Sequence, residues 1–445
     1  MKTLPGWMLA RRPFATLPAF FAEIARRHGP IVRFRNLFAN VYFIDDPALL
    51  EEVFVSKAAS YKKGRGTERL RMLLGNGLLT AQQPEHLAHR RLVQPAFHMW
   101  RIDACADVMV AAAARRAVAW VDGETIEVDR EMLQLALEIV AKALFGSDLA
   151  ADVATVGESL DTAIQAFPFA MLPFSEVFDH LPVPATVRLR KARAALDAIV
   201  YRMLAEHRAS RRDSGDLLSM LLASRDEAGA AMDDRQIRDE ALTILLAGHE
   251  TTANAMAWAF YLLQRHPDVA AKLHAHLEAV LGDRDPTLDD LPQLDYVRAV
   301  FAETMRLYPP AWITARRALE ATSLGAQPVA KNDIVIVSQY VTHRNPRLWP
   351  WPERFDPERF IGAPPPERFA YFPFGGGNRR CIGERFAWME GVLAIATIAR
   401  RVRLELVDPA PVATQPFVTL RPGSAIRARV VRRSQTIERL RNVLV

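Results

Sequence analysis

The stretch from Asp234 to Arg265 constrains the fold of this chain more than any other. It holds no proline, Asp233 precedes it as an N-cap with Gln236 three residues on, and Pro267 closes it. These signals predict one helix of roughly 30 residues and ~45 Å. An element as long as the whole molecule is wide must run through its centre, so the other elements have to pack around it.

Further helices are predicted at 48–56, 101–120, 129–145 and 187–210, where apolar residues recur at three and four spacing and breakers are few. Two more are expected, at 296–307, stopped by Pro309 and Pro310, and from just after Cys381 to about Arg400. The runs IVRFR and VYFID between residues 30 and 45 predict a hairpin. Residues 311–375 carry many prolines around the run Ile334–Val337 and read as strands and loops, with further strands near the C-terminus. No Gly/Ser linker or repeat divides the chain. The expectation is one domain over 1–445, mainly α with a smaller β-rich lobe. Pro168, Pro173, Pro182 and Pro184 break an aromatic segment of Phe167, Phe169, Phe174 and Phe178, which reads as a buried corner or as a mobile lid over an apolar pocket.

Composition narrows the function. The 445 residues are 50% hydrophobic and 24% charged, an ordinary globular balance. Lys and Arg number 57 against 51 Asp and Glu, so the formal charge is +6, mild for this length. It does not imply nucleic acid, and a localised basic face would say more than the total. Cys105 and Cys381 are the only cysteines, which excludes a disulfide scaffold and Cys-rich zinc or iron–sulfur arrays. Residues 4–10 are apolar but broken by Pro5 and closed by Arg11 and Arg12, too short for a bilayer span or a good signal peptide. Residues 1–29 are therefore expected to be an N-terminal segment without a membrane anchor, on a soluble cytoplasmic protein.

The strongest chemical signal is the decapeptide Phe374-Gly375-Gly376-Gly377-Asn378-Arg379-Arg380-Cys381-Ile382-Gly383, just before the last long helix. Successive glycines permit positive φ and close backbone approach. A thiol at a helix N-terminus beside Arg379 and Arg380 is expected to have a depressed pKa and to be held as thiolate. Inward amide N–H groups would tune a ligating sulfur. One thiolate with no second cysteine nearby suits an axial ligand of an iron porphyrin better than zinc. A phosphate-cradling loop would need Lys then Ser or Thr, and a phosphatase cysteine would need Arg where Ala387 stands. A packing cysteine is the remaining alternative, and it is the reading for Cys105.

The decapeptide matches F-x-x-G-x-R-x-C-x-G at Phe374, Gly377, Arg379, Cys381 and Gly383, and through it the chain resembles the cytochrome P-450 superfamily. Other matches follow in order over residues 30–430. Ala247-Gly248-His249-Glu250-Thr251-Thr252 fits A/G-G-x-D/E-T-T; it is not a zinc-protease HExxH, because Ala253 takes the second His position. Glu303 and Arg306 form an ExxR on one helix face, and Pro-Glu-Arg-Phe follows at 357–360. His86 and Arg90, four apart, fit H-x-x-x-R, while a surface metal pair of His86 and His89 is the competing reading.

The resemblance implies the cytochrome P-450 fold with the long helix crossing the haem, and haem b (iron protoporphyrin IX) as cofactor. Cys381 would be the proximal iron ligand, with Phe374 beside the sulfur and Gly383 completing the loop. Arg379, His86, Arg90 and either Arg316 or Arg317, with Arg316 preferred, would hold the propionates. Ala247 and Gly248 would leave room for a diatomic, and Glu250 with Thr251 would relay protons, unless the threonines only bond back to their own helix. Glu303, Arg306 and Arg359 would lock the β-rich lobe.

The implied activity is monooxygenation of a lipophilic small molecule, a fatty acid, terpenoid, steroid or similar, with O2. Electrons would come from a separate ferredoxin or flavodoxin with its NAD(P)H-dependent reductase, since no dinucleotide fingerprint is present. His89, Arg91, Arg380 and Arg385 would form a basic face for that donor. Pocket walls are expected from 167–178, 242–246, 311–314 and 417–418, although core packing explains the same residues. The protein would act as a monomer without nucleic acid. A haem-thiolate isomerase or dehydratase, or a noncatalytic haem or lipophile binder, stays open beside the oxygenase.

Overall fold

A computed structural model describes residues 1–433 apart from 147–151, 172–174, 176–180, 182, 211–215, 226–228, 363–364 and 366. The helices that build the site are α1 (Glu85–Val93), α2 (Ala106–Ala119), α3 (Val128–Phe145), α4 (Val153–Gln165), α5 (Pro184–Ser210), α6 (Asp234–Arg265), α7 (Asp295–Leu307) and α8 (Glu384–Arg401). As expected, the Asp233 carboxylate caps α6 by accepting the Gln236 amide at 2.7 Å. Most of its 32 residues are buried, including Ala253, Ala255, Ala257 and Ala259 in one stretch. A helix so largely buried belongs in the core, and α3, α5, α7 and α8 all pack on α6. Gly248 is needed for this closeness: a Cβ there would meet Val140 Cγ2 of α3 at 2.9 Å.

The β-rich part centres on six strands: β1 (Lys2–Pro5), β2 (Ile31–Arg35), β3 (Val41–Ile44), β4 (Tyr61–Lys63), β5 (Thr314–Ala318) and β6 (Ile334–Val337). Their order is β1-β2-β3-β6-β5-β4. The hairpin expected between residues 30 and 45 is β2–β3, antiparallel with Ile31 opposite Ile44. The chain start does more than precede the fold, because β1 adds an edge strand parallel to β2 and buries Leu4. A separate hairpin pairs β7 (Thr414–Pro416) with β8 (Leu420–Pro422).

Two predicted helices differ in detail. The 101–120 stretch is broken into Met99–Asp103 and α2, a break that no glycine or proline announces. Residues 48–56 begin as α-helix at Pro47–Glu51 and widen into a π turn over Glu52–Ser56. That turn carries the Phe54 carbonyl against the cysteine loop. In the aromatic segment, Phe167 meets Phe14 edge-on at 6.3 Å, and Phe14 meets Trp312 in the same way at 5.9 Å. Pro173, Phe174, Phe178 and Pro182 lie outside the described residues.

Candidate active site

The cysteine loop is held from both sides. Gly377 has φ +65, and a Cβ on it would stand 1.8 Å from the Phe54 carbonyl oxygen, so only glycine fits. The Cys381 amide donates to the Phe374 carbonyl at 3.0 Å, and Gly383 occupies the N-cap of α8. Phe374 packs against Trp388 of that helix, ring centroids 5.8 Å apart.

Cys381 has accessible surface, yet protein atoms crowd around its thiol. Burial pushes its pKa up to about 11, outweighing the Gly383 amide and the Arg90 and Arg380 charges that pull it down. The expectation of a thiolate set by helix and arginines alone is thus corrected. Ligation to a cation is what deprotonates such a sulfur.

Beside the loop lies a cluster of cations. Strands β4 and β5 pair Lys63 with Arg316 and Lys62 with Arg317. Alternation along a strand then separates the two arginines. Arg317 lies 3.8 Å from Glu68 on one face, and Arg316 shares a cleft with Lys63, Gln83, Asn378 and Arg379 on the other. Burial and the Arg379 charge lower Arg316 to about 10 and take Lys63 well below its usual value. His86, buried on α1, falls to about 3, through burial first and then the charges of Arg379, Lys63 and Arg90. Arg379 donates to the Ala81 carbonyl at 2.7 Å and Arg90 to the Arg380 carbonyl at 2.8 Å. Among the described residues no carboxylate lies within ion-pair distance of Lys63, His86, Arg316 or Arg379. Enclosed positive charge without a counter-charge is costly, and a ligand bearing two carboxylates would relieve it.

On α6, Thr251 donates back to the Ala247 carbonyl at 2.6 Å. Glu250, 1% exposed, turns to the β7–β8 hairpin. Its Oε1 accepts from Thr419 Oγ1 and from Arg421 Nε, each at 2.5 Å. Arg421 Nη1 also reaches Asp161 of α4 at 2.5 Å. Glu390 of α8, which the sequence reading missed, is fully buried, and burial raises its pKa well above the usual carboxylate value; Thr252 is its neighbour.

Glu303, Arg306 and Arg359 meet as one network. Arg306 forks onto Glu303 at 2.6 and 2.8 Å, and Arg359 Nε stands 3.5 Å from the same carboxylate. Arg306 donates as well to the carbonyls of His343, Pro352 and Arg354, so α7 is bonded to the segment crossing behind it.

Comparison with known proteins decides the family. The cytochrome P450 family model matches residues 4–426. The chain belongs to the cytochrome P450 family. It is 38% identical to cyclooctatin synthase of Streptomyces melanosporofaciens, over 94% of this chain and 91% of that protein. It is 38% identical to cyclooctat-9-en-7-ol 5-monooxygenase of the same organism, over 91% and 87%. Pentalenene oxygenase of Streptomyces avermitilis is 32% identical over 96% and 95%. The chain is a P450 monooxygenase with haem as its cofactor, and the residues present fit that group: one thiol at a helix start, and a carboxylate-free cation cluster suited to two propionates.

Within the P450 frame some expected residues fall elsewhere. His89 is not on a basic face: it is buried, with Nδ1 2.9 Å from Glu240. Arg380 and Arg385 are exposed, but each is paired, with Glu384 and Asp103. Leu242 and Leu245 line a small apolar cavity with Phe145, Val156 and Leu196. Trp312 and Phe417 are joined, indole Nε1 donating to the Phe417 carbonyl at 3.1 Å. Cys105 packs against the large core, and its thiol is pushed up to about 11 by burial. Lys63 and Arg421 were missed by sequence reasoning. Lys63 was findable as the cross-strand partner of Arg316; no local signal marks Arg421.

Proposed function

We propose that this P450 oxygenates a cyclic, largely hydrocarbon terpenoid, with Cys381 as the haem ligand and Lys63, His86, Arg316 and Arg379 on the propionates. Arg90 braces the Arg380 carbonyl beside the sulfur. The observation that carries this assignment is the enclosed cation cluster next to the Cys381 loop. When bound, haem supplies dioxygen binding and activation.

The chain's own residues bring protons and exclude water. Thr251 holds a proton at Oγ1 and offers it inward by turning from the Ala247 carbonyl. Once its bond to Arg421 opens, the Glu250 carboxylate takes up a proton from solvent water and passes it on to Thr251, while Asp161 keeps Arg421 paired. Trp312, Phe417 and the described part of the aromatic segment give an apolar wall. Two relatives are named for cyclooctat-9-en-7-ol and pentalenene, both olefins by name, which favours a terpenoid over a fatty acid. A ferredoxin or flavodoxin with its reductase supplies electrons to a monomer inside the cell.

The test is the reconstituted enzyme with NAD(P)H, ¹⁸O2 and a panel of cyclic terpene olefins. The proposal expects one labelled oxygen in the product. Product formed without label from O2 would favour the isomerase or dehydratase reading instead.

A further inference from the structure

The formal charge has a location. Residues 1–44 hold seven Lys and Arg against the single acid Glu23, a balance of 7 − 1 = +6 that equals the formal charge of the whole chain. Beyond residue 44 the sequence is neutral overall. Lys2, Arg11, Arg12 and Arg35 are exposed, while Glu23 is already taken by Arg27 at 2.7 Å.

The same region carries unburied apolar side chains. Leu37 and Phe38, at the tip of the β2–β3 hairpin, are 89% and 94% exposed, the highest values among the large hydrophobic side chains described. Trp7 is 60% exposed. It lies next to that tip, since the Gly6 amide donates to the Arg35 carbonyl at 2.9 Å and a Cβ on Gly6 would collide with Asn36. Arg11 extends over the Trp7 ring, 5.9 Å from its centroid.

We propose that this hairpin tip and the N-terminal segment dock the protein on an anionic lipid bilayer. A protruding turn with two apolar side chains, an adjacent indole and a surround of arginines suits an interface where apolar tips enter and cations meet headgroups. The attachment is peripheral: no helix among the described residues is long and apolar enough to cross a membrane. Phe14, seven residues after Trp7, packs on Phe167 and Trp312 of the apolar wall. The docked face therefore adjoins the route by which a lipid-dissolved substrate would enter, a use that rests on the proposed function although the binding itself does not.

The holoenzyme is sedimented with vesicles of phosphatidylcholine alone and of phosphatidylcholine mixed with phosphatidylglycerol. Binding is expected to the mixed vesicles, weakening with salt and with the neutral lipid. The double variant Leu37→Ser/Phe38→Ser should lower the partition constant about tenfold or more, and Arg11→Gln or Arg35→Gln about fivefold each. All these positions are exposed, so the carbon monoxide difference spectrum should not change. Equal sedimentation of native protein and the double variant, or no preference for the anionic vesicles, overturns the proposal. An acidic protein partner would leave vesicle binding absent, which counts the same way. Because the spectrum is recorded on the same preparations, failure to bind lipid is distinguishable from failure of the haem assignment.

Discussion

Arg316 and Arg317 are neighbours of identical chemistry, and only the strand between β4 and β6 tells them apart. Pairing with Lys63 commits Arg316 to the enclosed cleft, while Arg317 faces Glu68. Replacing Arg316 or Lys63 by a leucine or methionine should therefore speed haem loss about tenfold or more, since a charged hydrogen bond is worth ~1.5–3 kcal/mol. Transfer of haem to apomyoglobin measures this, and Arg317→Leu should behave as the native protein. Arg421 makes a second residue-scale prediction. Arg421→Met leaves Glu250 buried without its cation, so coupled turnover should fall toward the ~100-fold loss of a general acid. Peroxide release and the solvent isotope effect should rise, and Arg421→Lys should restore much of the coupling. Unaltered coupling in Arg421→Met would contradict the relay. Glu250 is legible in the sequence because its motif is contiguous. Arg421 is not, because the contact spans 171 residues and is made by a hairpin whose docking no local pattern encodes.

Elements act through the joints between them. The α7 network turns a pair three residues apart into a clamp, because Arg306 also binds three carbonyls of the segment that passes behind it. Glu303→Gln removes one charge from a pair with no solvent exposure, and breaking such a pair costs about 3–5 kcal/mol. Little folded, haem-loaded protein should be recovered from that variant, whereas Arg359→Gln, at a 3.5 Å contact, should lower the melting temperature less. The helices α3, α6 and α7 are readable because apolar spacing, caps and prolines agree about them. The break before α2 and the π turn over Glu52–Ser56 are not, since alanine-rich and mixed sequence fits several local geometries and tertiary packing chooses. The edge strand β1 escapes the eye for a similar reason: its pairing with β2, not its composition, makes it a strand.

At the scale of the whole molecule, burial favours the neutral form of two histidines. His343, held in place by the Phe372 amide donating to its Nε2 at 3.0 Å, is lowered to about 3 by burial and by Arg306. His249 of α6 is lowered to about 4, again by burial first. In the unfolded chain both titrate near 6.5, so between that pH and about 4 the unfolded state binds the more protons. Their contribution is complete above pH ~6.5 and is lost as the pH falls toward the folded values. Denaturant unfolding should show stability declining from pH 7 to pH 5, and His249→Gln should flatten part of that slope.

At the same scale, the order of motifs along the chain was enough to read the fold class, because ExxR, the acid–threonine pair and the cysteine loop each require a particular neighbour. The pairing of β3 with β6, nearly 300 residues apart, was beyond any spacing argument. The central claim joins these levels: Cys381, and not Cys105, is the haem ligand. Its most direct test is the carbon monoxide difference spectrum of the reduced holoenzyme beside Cys381→Ser and Cys105→Ser. The account predicts the strongly red-shifted Soret band of a thiolate complex in the native protein and in Cys105→Ser, and its absence in Cys381→Ser. A red-shifted band that survives Cys381→Ser, or is missing from the native holoenzyme, would contradict it.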